Sequence, residues 1–528
     1  MSIQTETPDG WTPEAIIERY RHARQVRQDW ENHWRECYEF ALPRRDGALG
    51  DGRAGERKTD RLFDGTAPDA VEQLAASLLS ELTPPWSRWF GLVAGVDLLE
   101  EERQGLEPEF ERMSAVLQSN FDRSNFAVEM HQCYLDLVTV GSASLLFEEA
   151  APGEGSAFRF TAVPISQLVF EEGLDGKLDT TFRRSELSRK HLLSRFPGAV
   201  LPEDMDGQEN GGAERKYGVI EAVTPNNGGY AYRAILEMDP DGFKGVTSLA
   251  DGRFRHSPFI NFRWLKAPGE TYGRSPVMKT LPDIKTVNKV VELTLKNASI
   301  AVTGIWQADD DGVLNPANIK LIPGTIIPKA VGSSGLSPLK SPGDFDISQL
   351  VLEQLRASIR KALLVDKLGE IRGPKMSATE IVERSAEMAR LLGATYGRLQ
   401  SELLVPLVNR AVSILHRRGE FEDISIDGRV IDVEYSSPLA RQRNRQEAQG
   451  ALQWLDTVSM LGPEALSIVD TAATARWLAK SFGVPAELIV EPDVVDKGHL
   501  PLVATPPFPT EDTESQSIEV PGEFHEGH

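Results

Sequence analysis

The sequence predicts an α+β protein, predominantly α, divided among several domains. Three observations predict it. Long stretches repeat apolar residues every three or four positions, which is the period of a half-buried helix. One central stretch, Gly141 to Phe262, changes to short alternating runs split by Gly, Asp, Asn and Pro, which is the pattern of strands and turns. At 528 residues the chain also exceeds what one simple core organises, so two to four domains are expected.

Taken in order, residues 12–42 read as one helix carrying Ile16, Ile17, Tyr20, Ala23, Val26, Trp30, Trp34, Cys37 and Phe40. Thr12 with Pro13 at the first helical position starts it, and Pro43 stops it. "DGALGDGRAGERKT" reads as a glycine-rich polar loop. A helix from near Pro68 to Leu82 follows, ending at Thr83-Pro84-Pro85, and then "WSRWFGLV" as an extended aromatic segment. The next helix spans Pro108 to Val140 with a break around Ser124. The strand-rich part occupies about 141–265 and reads as an antiparallel subdomain.

Helix returns at "GRSPVMKTLPDIKTVNKVVELTLKNASIAV", where Ser275 can cap and Pro276 takes the first helical position. Val277, Leu281, Ile284, Val287, Val291, Leu295, Ala298 and Val302 form its stripe, and Pro282 predicts a break or kink. A loop-rich, β-leaning insert with Pro316, Pro323, Pro328, Pro338 and Pro342 covers about 303–345, and helix resumes over 347–367. Ser377 and Glu380 then form a capping box, with Met376 and Ile381 as its hydrophobic staple. From there a stripe of Ile381, Met388, Leu392, Tyr396, Leu399, Leu403, Leu407, Ala411 and Leu415 predicts a helix to Gly419, roughly 60 Å if unbroken. Pro406 is expected to bend it. "ISIDGRVIDVEY" reads as a hairpin turning at Asp427-Gly428, and 438–483 as helical. The tail, 491–528, is acidic and proline-rich and is expected to be disordered.

Charge and cysteines exclude several classes. A net charge of −22 argues against a broad basic face that wraps nucleic acid, yet it leaves room for a polyanion to slide past a few local cations. The two cysteines, Cys37 and Cys133, rule out a disulfide framework and a cysteine zinc site, and both read as buried thiols. No run of about 18 apolar residues predicts a membrane span, and the N-terminus lacks the regions of a signal peptide, so synthesis and use in the cytosol are expected.

Enzyme signatures fail one by one. Gly50 and Gly55 have the glycine spacing of a phosphate-binding loop, but Glu56 stands where the lysine must be and no strand precedes it. No nucleophile elbow or zinc-protease motif occurs, and the terminal "HEGH" has the wrong spacing. Asp309, Asp310 and Asp311 lack the liganding alternation of a calcium loop. No catalytic residue, cofactor site or metal site is therefore expected.

Two basic groups remain. "GEIRGPKMSATEIVER" joins Arg372 and Lys375 to a helix N-terminus, an arrangement suited to phosphate contact, although it also suits a charged surface turn. Without a preceding buried strand or a metal-binding acid it is not a nucleotide site. Lys279, Lys285, Lys289 and Lys296 mark the helix after Gly273, and Arg356, Arg360, Lys361 and Lys367 the helix before the loop. They read either as a solvated face or as cations lining a channel.

Four stretches, in this order, give a likeness to a known family: "RLFDGTAPDAVEQLAASLLSELTPPWSRWFGL", "GSASLLFEE", "YGRSPVMKTLPDIKTVNKV" and "MSATEIVERSAEMARLLGATYGRLQSELLVPLVNR". Over roughly residues 61–410 the chain resembles the head-to-tail connector, or portal, family of short-tailed bacteriophages. The last two stretches are the specific ones, and the segments after about 440 match only in style.

The resemblance implies a portal fold with wing, stem, clip and crown, assembling into a ring, usually of twelve subunits, with a central channel. It divides the chain into a wing (1–272), a first stem helix (273–302), a clip (303–345) and a second stem helix (346–368). A tunnel loop (369–376), a long wing helix with hairpin (377–437), a crown (438–490) and the tail follow. It implies DNA-channel contacts at Arg372, Lys375, Arg356, Arg360, Lys361, Lys367, Lys285 and Lys289, and partner contacts in the clip at Asp309, Asp310, Asp311, Lys320 and Lys329. Implied partners are double-stranded DNA, a terminase motor, a tail adaptor, and scaffolding and major capsid proteins, with no membrane. The implied place is the capsid portal vertex of the virion, after synthesis in the host cytoplasm. The alternatives are another virion ring such as a tail adaptor, usually a much shorter protein, or a soluble multidomain hydrolase.

Overall fold

The computed structural model describes residues 11–43, 59–85, 87–95, 97–98, 100–201, 216–237, 247–303, 306–308, 331, 336–338, 345–365, 393, 395–421, 431–434, 438–461, 468–482 and 484. It is helical with an inserted strand-rich part. Helix α1 (Pro13–Ala41) starts where the local chemistry dictates: Ala15 N donates to Thr12 Oγ1 at 3.3 Å, with Pro13 next to the cap. Its two halves serve different cores. Ile16, Ile17, Tyr20 and Ala23 pack with Phe182, Ile220 and Ile235, whereas Trp34, Cys37, Tyr38 and Ala41 enter the main core. Midway, the buried Arg27 donates to the carbonyl oxygens of Ile165, Ser166 and Leu168, so three backbone acceptors are satisfied by one guanidinium.

Helix α2 (Thr66–Leu82) leads to strand β1 (Gly91–Ala94), beside the buried Trp89 and Phe90. Helix α3 runs Glu100–Arg123, about two turns earlier than Pro108 suggests. "EEERQG" carries no apolar period, but most of its residues are good helix formers. After the expected break, helix α4 (Phe126–Val140) ends at Gly141 in the left-handed region, φ 79°.

The strand-rich part contains β2 (Ser142–Glu149), β3 (Phe158–Val163), β4 (Leu168–Glu171), β5 (Thr180–Ser188), β6 (Lys216–Asn226), β7 (Gly229–Leu236), β8 (Thr247–Phe254) and β9 (Phe259–Arg263), with the short helix α5 (Arg189–Arg195) after β5. β4 to β8 form an antiparallel meander, and β3-β2-β9 a second antiparallel sheet. Period-two alternation gives the meander two apolar faces. Ile220, Ala222, Ala231 and Ile235 meet α1, while Tyr217, Val219, Ala234 and Leu236 meet Leu192 of α5.

Helix α6 (Pro276–Thr303) is capped as predicted, Met278 N donating to Ser275 Oγ at 2.9 Å. Of the break or kink predicted at Pro282, no break occurs, and the helix runs through: the proline is exposed, while Val277, Leu281, Ile284 and Val287 are buried and hold the helix. Strands β10 (Trp306–Ala308) and β11 (Leu336–Pro338) pair antiparallel, and helix α7 spans Phe345–Ala362. α7 ends five residues before the predicted Lys367, and Leu364 turns the chain with φ 60°.

Residues 395–399 are helical, a π-turn covers Gln400–Leu404, and helix α8 (Val405–Arg417) completes the run. The π-turn stands just before Pro406, where a bend was predicted. Pro406 cannot donate to the Glu402 carbonyl, and Val405 N bonds to Gln400 O five residues back. The stripe needs it. Leu399, Leu403, Leu407, Ala411 and Leu415 are all fully buried, yet each step of four overshoots an α-helical turn by about 40°. The wider turn takes up one residue and keeps them on one face.

Strand β12 (Ile431–Glu434) pairs with β1; the rest of its predicted hairpin lies outside the described residues. The predicted helix over 438–483 is two helices, α9 (Pro438–Met460) and α10 (Thr471–Phe482), because Gly462-Pro463 follows α9. Among the described residues no helix is long and apolar enough to cross a membrane, and no group of three or more His, Cys, Asp or Glu is arranged to hold a metal ion. Cys37 and Cys133 are free and buried, and burial pushes the Cys37 thiol up to about 12.

Candidate functional site

The candidate site is the packed pair α6–α7 and what braces it. The near half of α6 is core. Beyond Val291 the stripe runs out of the protein: Leu293 and Leu295 are about half exposed, as are Leu350 and Val351 on α7. Ser358 Oγ of α7 donates to Asp283 Oδ2 of α6 at 3.2 Å.

Of the predicted cations, Lys285, Lys289 and Lys296 lie exposed on α6, and Arg360 and Lys361 exposed on α7. The α6 lysines are paired within the chain. Lys285 Nζ meets Glu36 of α1 at 3.0 Å, and Lys289 and Lys296 share Glu292, which they hold below the usual carboxylate range. Arg356 is placed differently, donating from Nε and Nη2 to Asp64 Oδ2 at 2.9 and 2.7 Å. Lys367, Arg372, Lys375, Ser377, Glu380, Asp309, Asp310, Asp311, Lys320 and Lys329 lie outside the described residues. A groove of about 880 Å³ opens between the end of α1, the segment Asp60–Phe63 and α6, with Glu36, Phe40, Arg61, Phe63, Asn288 and Lys289 in its walls.

Three contacts brace the fold around the pair, the first of them at the entry to α6 itself, and none was read from the sequence. Gly141 and Gly273 lie back to back; a Cβ on Gly273 would sit 2.0 Å from the Gly141 oxygen. That contact sets α6 directly against the α4–β2 corner, where Ser275 Oγ also donates to Thr139 O. Each glycine lies in one of the recognised stretches, so the signal was present without its partner. Second, the π-turn brings Glu402 to Arg263 of β9. The fully buried guanidinium donates to Glu402 Oε1 at 2.7 Å, and the Arg263 amide donates to Oε2 at 3.0 Å. Third, Arg410 of α8 is buried between Phe147 and Phe254, donating to the carbonyls of Phe147 and His256 at 2.7 Å each. Burial, then Arg417, pulls its guanidinium down to about 9.

The family model described as bacteriophage head to tail connecting protein matches residues 13–490, from the first described helix to beyond the last described one. The chain belongs to that family. The portal protein of Salmonella phage epsilon15 is 24% identical over 518 residues, covering 91% of this chain and 89% of its own length. The probable portal protein of Bordetella phage BPP-1 is 22% identical over 504 residues, covering 90% and 88%. Among solved structures, a chain from the virion of a native gene transfer agent particle covers 84% of this chain and 98% of its own, at a TM-score of 0.35 and 12% identity. The matched range takes in α6, the insert and α7.

Proposed function

We propose that this chain is the subunit of a phage portal, a structural, non-catalytic ring at one capsid vertex through which double-stranded DNA is packaged, retained and ejected. The observation that carries this reading is the connector-family match over residues 13–490. In this reading α6 and α7 are the stem, 303–345 the clip, 369–376 the tunnel loop and α9–α10 the crown. Physical features support it. Leu293, Leu295 and Leu350, with Trp454, Met460 and Trp477 on α9–α10, are exposed in the single chain and suit burial against neighbours in a ring. The charge of −22 keeps DNA from binding tightly along the wall, while Lys285, Lys289, Arg360, Lys361, Arg372 and Lys375 act as local contacts. A terminase motor supplies the ATP chemistry, a tail adaptor meets the clip, and scaffolding and major capsid proteins surround the ring.

The test is the double substitution Arg372→Ala and Lys375→Ala. Rings assemble as in the wild type, and DNA packaging or retention in particles falls. Unchanged packaging and retention would remove the tunnel-loop assignment.

A further inference from the structure

We propose that Asp64 is a positioning residue that fastens α6 and α7 to the N-terminal helices, so that the pair and α2 move as one body. Three helices meet on the five-residue segment Arg61–Gly65. Asn288 of α6 uses its whole amide there. Its Oδ1 accepts from Phe63 N at 2.6 Å and Asp64 N at 3.2 Å, and its Nδ2 donates to Arg61 O at 2.8 Å. Asp64 divides its two oxygens. Oδ1 accepts from Thr66 N at 3.0 Å in the first turn of α2, and Oδ2 accepts both bonds from Arg356 of α7.

Asp64 and Asn288 are both buried, so the Asn288 bonds meet little competition from water, and Asp64 receives its charged bonds from a half-buried Arg356. Burial alone would raise the Asp64 carboxyl, but the bonds from Thr66 and Arg356 outweigh it and leave the group below its usual range. The neighbouring link is weaker in kind. Lys285–Glu36 joins two exposed side chains, and pairs of that sort hold little. The Asp64 carboxylate thus ties α7, through Arg356, to the start of α2, while the Asn288 amide ties α6 to the backbone of the same short segment. Arg356, from its place on α7, serves this joint within the subunit. That the joint sets the position of a DNA channel rests on the portal reading above.

Hydrogen exchange of the full-length protein, followed by mass spectrometry, tests the joint. The variants are Arg356→Gln, Arg356→Lys and Asn288→Ser, with Arg112→Gln as a control for an exposed ion pair on α3. Arg356→Gln is expected to speed exchange in α7 and α6 peptides by roughly tenfold or more, the scale of a lost charged hydrogen bond, while the five-stranded sheet is unchanged. Arg356→Lys restores most of the protection, Asn288→Ser loosens the same α6 peptides, and Arg112→Gln changes nothing. In particles, Arg356→Gln retains several-fold less DNA although rings form.

Wild-type exchange in α6 and α7 of Arg356→Gln, or equal loosening of the sheet, would overturn the joint. Full DNA retention would overturn its positioning role. If Arg356→Gln does not fold, Arg356→Lys and Asn288→Ser still decide it by the same peptides. A wild type that stays monomeric would sink the portal reading alone, because exchange on the monomer still reports the joint.

Discussion

Alanine at Gly273 should be costly although it adds one methyl group. Its Cβ would lie 2.0 Å from the Gly141 oxygen, 2.9 Å from the Gly141 carbonyl carbon and 3.0 Å from Arg263 Cβ. Reaching even a 3.0 Å contact requires one backbone to retreat by 3.0 − 2.0 = 1.0 Å. The Gly141 oxygen is not free to turn away, because Trp264 N donates to it at 2.9 Å. Gly273 N is also engaged, donating to Ser142 Oγ at 2.8 Å. Overpacking of this kind costs about 1–3 kcal/mol, and a lost hydrogen bond adds about 1. Together that is about 2–4 kcal/mol, or a shift of roughly 30- to 700-fold in the folding equilibrium. Gly269→Ala separates crowding from backbone strain, since Gly269 has φ 81° but nothing within 4 Å, and should cost about 1 kcal/mol. Urea unfolding followed by tryptophan fluorescence measures both. A Gly273→Ala midpoint equal to or above that of Gly269→Ala would refute the close-approach argument.

The other predictions concern charge and surface. His256 is held down at about 4, first by burial and then by Arg255 and Arg410, so the unfolded chain binds the extra proton first as pH falls. Stability is therefore lost between about pH 6.5 and 4, by about 1–2 kcal/mol after allowing for solvent screening. His256→Gln should flatten that part of the wild-type curve, and parallel curves would contradict it. Glu402→Gln leaves the buried Arg263 guanidinium without its main countercharge and should cost about 3 kcal/mol in urea unfolding; a loss below that of an exposed pair would contradict the account. Leu293→Gln with Leu295→Gln should leave the thermal midpoint of the subunit nearly unchanged yet weaken assembly, read by mass photometry, whereas unimpaired assembly would remove these residues from the interface.

Features that depend on neighbours in sequence were legible, and features that depend on distant partners were not. Thr12-Pro13 and Ser275-Pro276 begin helices through bonds that span three residues, and Ser124 marks the α3–α4 break. The stripe from Leu399 to Leu415 was visible, but its spacing of four was read only as helix with a bend, not as a wider turn. Arg356 and Lys285 were seen as cations. Their partners Asp64 and Glu36 lie 292 and 249 residues away, and only folding shows that both lysine and arginine are engaged within the chain. Strand existence was likewise readable, whereas the placement of β2 between β3 and β9, and of β1 on β12, required the fold.

The central claim is that this chain builds a ring around a channel. Negative-stain micrographs of the purified full-length protein, averaged by class, test it most directly. The account predicts closed rings of several hundred kilodaltons with cyclic symmetry and a central hole. A uniform population of monomers or small compact oligomers without a hole would contradict it.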